Sequence, residues 1–276
     1  MLPALASSVR APASSVQPTR SLVPGWRACG SGPAFEAGIF ENVLDAGTLA
    51  LLREQCDRFV AREDARMDAA GVDTLGISHR GRRYFANECQ RAQPALRTML
   101  FSQTMADVCR ATLGEDAYFF FDQFVVKGPE GGLPFSWHQD SGYVIGNGGP
   151  PTHRPYLTCW CPLDDATAQN GTVRVLPFSR VPASRLGPLP HARQAGTNDL
   201  VGWTGDAGAI TLEVPAGSLV AFSSLLLHAT GANQTPRLRR VYLAQYTAEP
   251  MLDVGTAHLR RNAIPLVRHG EQVTFA

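Results

Sequence analysis

His138 and Asp140, a histidine and an aspartate two residues apart, have the types and spacing that suit metal binding. On an extended backbone, side chains at positions i and i+2 point to the same face, so one ion can contact both. The chain contains seven histidines and many aspartates, and His-x-Asp triplets also arise by chance. This motif therefore needs a third ligand before it indicates a metal site.

A third candidate ligand, His228, follows the predicted strand Ser218–Ser223 and a short run of leucines. A lone histidine beside an apolar run is more often a packed core residue. Here the His-x-Asp motif follows one predicted strand, and His228 follows another strand after a long intervening segment. Two neighbouring strands of one jelly roll would present three ligands in this order. Two imidazoles and one carboxylate with open positions favour iron(II), whereas zinc prefers more nitrogen or sulfur and a closed shell.

Arg239 lies on the next predicted strand and can hold an anionic cosubstrate. If 2-oxoglutarate chelates iron through its 1-carboxylate and keto oxygen, its distal carboxylate needs a buried cation. Arginine supplies two parallel donors and keeps its charge. Arg237 follows a proline in a turn, and Arg240 alternates to the opposite face of the strand. We therefore predict that Arg239 is the anchor.

In combination these residues resemble the phytanoyl-CoA dioxygenase family of iron(II)/2-oxoglutarate oxygenases, over about residues 35–270. The matching segments are Trp137-His138-Gln139-Asp140, Asn170-Gly171-Thr172-Val173-Arg174-Val175-Leu176-Pro177, Pro215-Ala216-Gly217 before a strand, and His228 followed by Arg239. The sequence departs from the commoner family pattern at Pro177-Phe178-Ser179-Arg180, which usually reads Pro-Gly-Ser-His. That departure lies in a turn and affects no ligand.

The resemblance implies a mainly β fold with flanking helices around a double-stranded β-helix, that is, a jelly-roll or cupin-like core. It implies iron(II) held by His138, Asp140 and His228, with 2-oxoglutarate as cosubstrate and O2 as oxidant. The distal carboxylate of 2-oxoglutarate would bind Arg239 and the hydroxyl of Thr230. The expected reaction is oxidation of a small organic molecule, most simply hydroxylation, with release of succinate and CO2.

Further residues are predicted around this site. The resemblance implies that Trp160 faces the cosubstrate pocket. The alternative is that Trp160 only packs in the core. Gln123 precedes the metal motif on a strand and either touches cosubstrate or substrate or belongs to the barrel. Candidate substrate contacts are Phe135, Trp137, Tyr143, His153, Arg154 and the segment 80–83. Arg174 is a second anion contact or an outward charge, and His191, His258 and His269 are predicted not to be ligands.

Two other classes of function stay open. A jelly-roll metal enzyme without 2-oxoglutarate would keep the three ligands but have no use for Arg239 and Thr230. A catalytically silent binding module would form no succinate. A halogenase is disfavoured because halide would need the position of the Asp140 carboxylate. The sequence does not identify the substrate, although it weakly favours a specialised-metabolite intermediate; desaturation, epoxidation and cyclisation are alternatives to hydroxylation.

Two helices are predicted ahead of the strands. The first begins after Asp45, which suits an N-cap, and its apolar positions at helical spacing are Leu49, Leu52, Cys56, Phe59 and Val60. The second begins at Pro94 and ends at Gly114. Its predicted inward positions are Leu96, Met99, Met105, Val108 and Cys109. The segment 71–91 between the helices carries several basic residues and is interpreted as a loop.

After Gly114 the sequence consists of short β-rich runs separated by Gly, Pro and Asn, which is typical of a sandwich or barrel. The predicted strands are Tyr118–Lys127, Tyr156–Leu163, Thr172–Pro177, Ser218–Ser223 and Arg240–Tyr246. Asn170-Gly171 and Pro215-Ala216-Gly217 predict turns. Residues 181–213 form a long connection, of a length often used for lids over binding sites.

Composition fits one soluble globular domain. The chain has 276 residues, 44% hydrophobic residues and a net charge of +1, so no charge pattern favours nucleic acid or a membrane surface. A small-molecule partner is expected, with the oligomeric state open. Six cysteines without a CxxC pair indicate reduced thiols, and the absence of a long apolar run favours a cytoplasmic protein. Residues 1–34, rich in proline and arginine, predict an unstructured arm rather than a transit peptide, and residues 35–276 a single domain.

Overall fold

The computed structural model of the chain describes residues 20–21 and 35–274. Its helices are α1 (Ala46–Ala70), α2 (Cys89–Ala92), α3 (Arg97–Leu100), α4 (Gln103–Leu113) and α5 (Asp140–Gly146). The first strands are β1 (Arg20–Ser21), β2 (Ala37–Phe40), β3 (Thr74–Leu75), β4 (Ser78–His79), β5 (Arg83–Asn87), β6 (Ala117–Lys127), β7 (Phe135–His138), β8 (Leu157–Pro162) and β9 (Val173–Leu176). The remaining strands are β10 (Ala192–Arg193), β11 (Leu200–Val201), β12 (Ile210–Thr211), β13 (Leu219–Ser223), β14 (Leu227–Thr230), β15 (Arg239–Thr247), β16 (Ile264–Arg268) and β17 (Glu271–Gln272). Apart from β1, the predicted N-terminal arm lies outside the described residues.

Two antiparallel sheets face each other. The large sheet runs β1-β2-β13-β8-β15-β6-β5-β4-β3, with β16 and β17 added beside β6, and the smaller sheet runs β12-β9-β14-β7. Between them lies an apolar cluster that includes Trp160, Val175, Val220 and Val241. Helices α1 and α4 cover the outer face of the large sheet. The predicted mainly β jelly-roll core with flanking helices is confirmed.

Helix α1 starts where the sequence predicts, directly after Asp45. The Asp45 carboxylate accepts a hydrogen bond of 2.8 Å from the backbone N–H of Thr48, which caps the first turn. Gly71 ends the helix in the left-handed region, at φ 64°, where a residue without Cβ is favoured. The buried positions Leu52, Cys56 and Phe59 face the large sheet.

The prediction of one helix from Pro94 to Gly114 is wrong, because the chain breaks there into three pieces. A 3₁₀ turn, Pro94–Leu96, leads into α3, and α4 starts anew after Ser102. The Ser102 hydroxyl accepts a hydrogen bond of 3.3 Å from the N–H of Met105, so it caps α4 and interrupts the longer helix. The five predicted inward side chains are all buried.

The prediction of a basic loop over residues 71–91 is also wrong. This segment supplies β3, β4 and β5, which extend the large sheet next to β6. Arg83 is completely buried, and its guanidinium makes a 2.5 Å ion pair with the buried Asp199. It also donates to the carbonyl of Pro134, at 2.6 Å. A buried arginine needs such partners, and here they come from distant parts of the chain.

The long connection 181–213 is folded against the metal-bearing strand. Strands β10 and β11 form a small hairpin, and β12 pairs with β9. The Asp199 carboxylate in the hairpin accepts hydrogen bonds from the N–H and hydroxyl of Ser136 on β7, both at 3.2 Å. The N–H of Gly202 donates to the carbonyl of Trp137, at 2.8 Å. Whether this connection opens as a lid stays a prediction.

Two further findings concern membrane-spanning helices and the cysteines. No helix within the described residues is both long enough and apolar enough to span a bilayer. Five cysteines are free and buried, and they are Cys56, Cys89, Cys109, Cys159 and Cys161; Cys29 lies outside the described residues.

Asp199→Asn should lower the free energy of unfolding by about 3 kcal/mol, because it leaves the charge of Arg83 buried without a counter-charge. Urea unfolding followed by circular dichroism measures this. The control is Glu54→Gln, which removes the carboxylate from the exposed Arg58–Glu54 pair and should change stability by less than about 0.5 kcal/mol. Equal effects of the two substitutions would contradict a structural role for the buried pair.

Candidate metal centre

His138 and His228 face each other across neighbouring antiparallel strands. They are register partners in the β7–β14 pair, and their ring centroids are 4.1 Å apart. The Nδ1 of His138 donates to the carbonyl of Ser136, at 2.8 Å, and the Nδ1 of His228 donates to the carbonyl of Leu226, at 2.9 Å. Because a carbonyl can only accept, each Nδ1 carries the ring hydrogen and each Nε2 keeps a free lone pair for a metal.

Asp140 completes the cluster from the start of α5. Gln139 is extended, at φ −110° and ψ 141°, which carries the carboxylate to the same side as the His138 ring. Asp140 Oδ1 lies 3.7 Å from Nε2 of His138 and 3.6 Å from Nε2 of His228. Within the described part of the chain, these residues form the one group whose three donor atoms lie within 4.8 Å of one another. The predicted triad is therefore brought together.

Two further residues fix the Asp140 carboxylate. Its Oδ2 accepts hydrogen bonds from the hydroxyl of Thr158, at 2.5 Å, and from Nε2 of Gln245, at 3.0 Å. Oδ1 is thereby left to the metal. Sequence reasoning missed Gln245 as a site residue, although alternation along β15 puts it on the same face as Arg239, and that parity could have found it.

The ionisation of the triad suits a metal ligand set. Burial alone would raise the pKa of Asp140, but the two neighbouring imidazoles and the hydrogen bond from Thr158 outweigh it and lower that pKa. Burial and the neighbouring His138 lower the pKa of His228. At neutral pH the carboxyl group is therefore ionised and the His228 imidazole neutral, which are the states that bind a metal.

Arg239 and Thr230 carry buried polar groups that lack partners among the described residues. Arg239 is completely buried, and none of its three guanidinium nitrogens has a hydrogen-bond partner among the described residues; the buried hydroxyl of Thr230 also has none. Such groups are rarely left unpaired. Lys127 lies opposite Arg239 in the β6–β15 pair and donates to the carbonyl of Gly231. Because Gly231 directly follows Thr230, this contact places Thr230 and Arg239 at the same end of the barrel.

This site fits the distal carboxylate of 2-oxoglutarate, because the carboxylate would satisfy both the charge and the hydrogen bonds. Trp160 packs beside it, with the Arg239 guanidinium carbon 5.8 Å from the ring. Burial lowers the pKa of Arg239 relative to an exposed arginine, which is the sign of a cation held without a partner. Arg240 points the other way, to Asp164, as strand alternation predicts.

A separate cavity of about 300 Å³ opens beside His138 and Asp140. Three residues that the sequence predicts near the substrate, Gln123, Phe135 and Tyr143, line this cavity. Trp137 does not, and its indole N–H donates to Asp206 instead. The β7–β14 register shifts between His138 and Phe135, so a bulge puts both on one side. Trp137 lies on the other side, buried against Leu176 and Leu227. Simple alternation cannot predict this.

The other predicted contacts lie elsewhere. His153 and Arg154 line a different groove, and Arg80 pairs with Asp68 and Asp73. Arg174 forms an ion pair with Asp206 and agrees with the alternative that it is an outward-facing charge. None of these residues, nor Arg82 or Arg83, lines the cavity.

Of the predicted non-ligands, His191 accepts a hydrogen bond from the N–H of Gln139, at 3.0 Å, so it supports the metal loop. His258 and His269 are not part of the metal cluster.

Known proteins resemble this chain in sequence and in fold. The family described as phytanoyl-CoA dioxygenase matches residues 38–241. An ectoine dioxygenase from Sphingopyxis alaskensis is 25% identical over 222 residues, which are 76% of this chain and 71% of that protein. The crystal structure of EvdO2 from Micromonospora carbonacea with 2-oxoglutarate has a TM-score of 0.59 at 23% identity, covering 81% of this chain and 90% of that chain. SnoK, a 2-oxoglutarate-dependent carbocyclase from nogalamycin biosynthesis, has a TM-score of 0.60 at 18% identity, covering 84% of this chain and 88% of that chain.

Thr158→Val should weaken iron(II) affinity about 10- to 100-fold, because the Asp140 carboxylate loses the donor that orients it. Anaerobic competition with a colorimetric iron chelator measures the affinity. Thr247→Val is the matched control, since the Thr247 hydroxyl is buried without a partner in the described residues, and it should bind iron as the wild type does. Unchanged affinity in Thr158→Val would contradict the orienting role.

Proposed function

Because the chain belongs to the phytanoyl-CoA dioxygenase family, we propose that this iron(II)- and 2-oxoglutarate-dependent dioxygenase hydroxylates a small organic molecule and releases succinate and CO2. The observation that carries the proposal is the buried guanidinium of Arg239, left without a partner in a barrel that also presents two imidazoles and one carboxylate. The first feature calls for an anionic cosubstrate, and the second is the ligand set of iron(II) oxygenases.

Each residue has a defined part in this reaction. His138, Asp140 and His228 hold iron(II) through two imidazole nitrogens and one carboxylate oxygen, and Thr158 and Gln245 keep that oxygen in place. Arg239 and Thr230 bind the distal carboxylate of 2-oxoglutarate. Iron with 2-oxoglutarate and O2 supplies the oxidation itself. The protein binds and orients the reactants, and the aromatic walls of the cavity limit the access of water.

The rival functions explain less of the structure. A metal enzyme without 2-oxoglutarate gives no reason to bury an unpaired arginine and an unpaired hydroxyl in one barrel, since each raises the free energy of the folded state. A binding module gives no reason for an oriented carboxylate between two imidazoles. Asp140 also occupies the coordination position that a halogenase leaves to halide.

The substrate belongs to specialised metabolism in this proposal. SnoK acts in nogalamycin biosynthesis, as its name states, and the cavity of about 300 Å³ has room for a small molecule. SnoK is named a carbocyclase, so the same ligand set supports outcomes besides hydroxylation. A product 16 mass units heavier than the substrate would identify hydroxylation, whereas loss of two hydrogens would identify cyclisation or desaturation.

The cosubstrate proposal is tested by adding iron(II) and 2-oxoglutarate to the protein without oxygen. Chelation of the metal by 2-oxoglutarate should produce a weak visible charge-transfer band. Iron(II) alone is the control and should produce none. A folded wild-type protein that binds iron but never shows the band would overturn the assignment.

Arg239→Met should abolish the effect of 2-oxoglutarate while stabilising the protein alone. Methionine fills similar space without a buried charge, so the melting temperature of the metal-free variant should rise by a few degrees. Saturating iron(II) and 2-oxoglutarate should raise the melting temperature of the wild type but leave that of the variant near its value with iron(II) alone. Differential scanning fluorimetry measures both. A variant that 2-oxoglutarate still stabilises would show that the anchor is a different residue.

A further inference from the structure

The cavity beside the metal centre has charges of one sign at its surface. Apart from the metal ligand Asp140, the charged residues that line it are Arg193, Arg260 and Arg261. Arg260 is neutralised by Asp253, at 2.7 Å, and also donates to two backbone carbonyls. Arg261 forms a 3.1 Å ion pair with Glu88. Two of the three arginines are therefore neutralised by acids, and the uncompensated positive charge of this cavity lies on the third arginine.

That arginine is Arg193, on the β10–β11 hairpin. Its Nη1 donates to the carbonyl of Asn198, at 3.0 Å, and the described residues place no carboxylate in an ion pair with it. The rest of its guanidinium is exposed at the cavity. Arginine presents paired N–H donors that match a carboxylate in geometry and charge.

The hairpin that carries Arg193 is held in a fixed position. Asp199, at the base of β11, is buried against Arg83 and bonded to Ser136 of the metal-bearing strand. The N–H of Leu200 donates to the hydroxyl of Tyr143, at 3.0 Å, on a residue that lines the cavity. Arg193 is therefore positioned before any ligand binds, which reduces the entropy lost on binding.

The interior of the cavity suits a flat apolar body with a neutral oxygen. Its aromatic wall consists of Phe85, Phe120, Phe121, Phe135, Tyr143 and Tyr156. Tyr156 is otherwise buried and lines the cavity, and its hydroxyl has no hydrogen-bond partner among the described residues. The side-chain amide of Gln123, which also lines the cavity, has none either. Both groups line the cavity, so each can hydrogen-bond to a hydroxyl or carbonyl oxygen of a ligand there.

We propose that the substrate is an acidic ring compound whose carboxylate pairs with Arg193 at the mouth of the cavity. Its ring lies between the aromatic side chains, and a neutral oxygen meets the Tyr156 hydroxyl further in. This inference rests on the proposed function, since it identifies the substrate class of the same site.

Two ring compounds of equal shape test the charge requirement. The protein is first saturated anaerobically with iron(II) and 2-oxoglutarate, so that the Arg239 site is filled. It is then titrated with naphthalene-2-carboxylate or naphthalene-2-carboxamide, and binding is measured by calorimetry. The wild type should bind the carboxylate about fivefold more tightly than the carboxamide. Arg193→Gln should remove this preference. Arg82→Gln, which changes an exposed arginine outside the cavity, should keep it.

The opposing outcomes are distinct. Equal binding of both compounds by the wild type, an unchanged preference in Arg193→Gln, or binding of neither compound at millimolar concentration would overturn the proposal. The visible band formed on adding 2-oxoglutarate reports the proposed function separately. If no band forms, the same titrations are made in metal-free Arg239→Met protein, which lacks the competing anion site, so the two failures remain distinguishable.

Discussion

The antiparallel pairing of β7 with β14 is the interaction on which the site depends. It places His138 opposite His228 and leaves both Nε2 atoms directed to one point, because each Nδ1 is committed to a backbone carbonyl two residues earlier. The bulge in the same pair turns Phe135 towards the metal and Trp137 away from it. One strand pair therefore sets both the ligand geometry, through its register, and a wall of the neighbouring cavity, through its bulge.

Two buried arginines show how the barrel uses charge. Arg83 is fully compensated: Asp199 neutralises it, and backbone carbonyls accept its remaining hydrogens. Arg239 is equally buried and has no such partner in the described residues. The first therefore stabilises the fold by joining the 181–213 connection to β5, and the second is an unsatisfied charge that a bound anion would relieve. The difference follows from contacts and not from residue type.

The metal ligands lie between two different environments. On one side are Arg239, Thr230 and Trp160, where a polar site is enclosed by the apolar cluster of the barrel. On the other side the cavity reaches the surface, with aromatic walls inside and arginines at its mouth. Asp140 connects the metal to β8 and β15 through Thr158 and Gln245. This division would let cosubstrate and substrate approach one metal without competing for the same contacts.

The sequence by itself indicated the fold class, five of the strands and the three candidate metal ligands, and it proposed Arg239 as the anchor for the cosubstrate, because these predictions follow from alternation, turn residues and motif spacing. It also located the N-cap of α1, because this cap depends on residues only a few positions apart. It did not predict the break before Ser102, the strand at residues 83–87 or that Trp137 packs away from the cavity. Those depend on a competing side-chain cap, a buried ion pair with distant Asp199 and a bulge. Tertiary structure alone decided which buried charges are paired: within the described residues Arg83 has partners and the Arg239 guanidinium has none, since pairing is fixed by segments far apart in the chain.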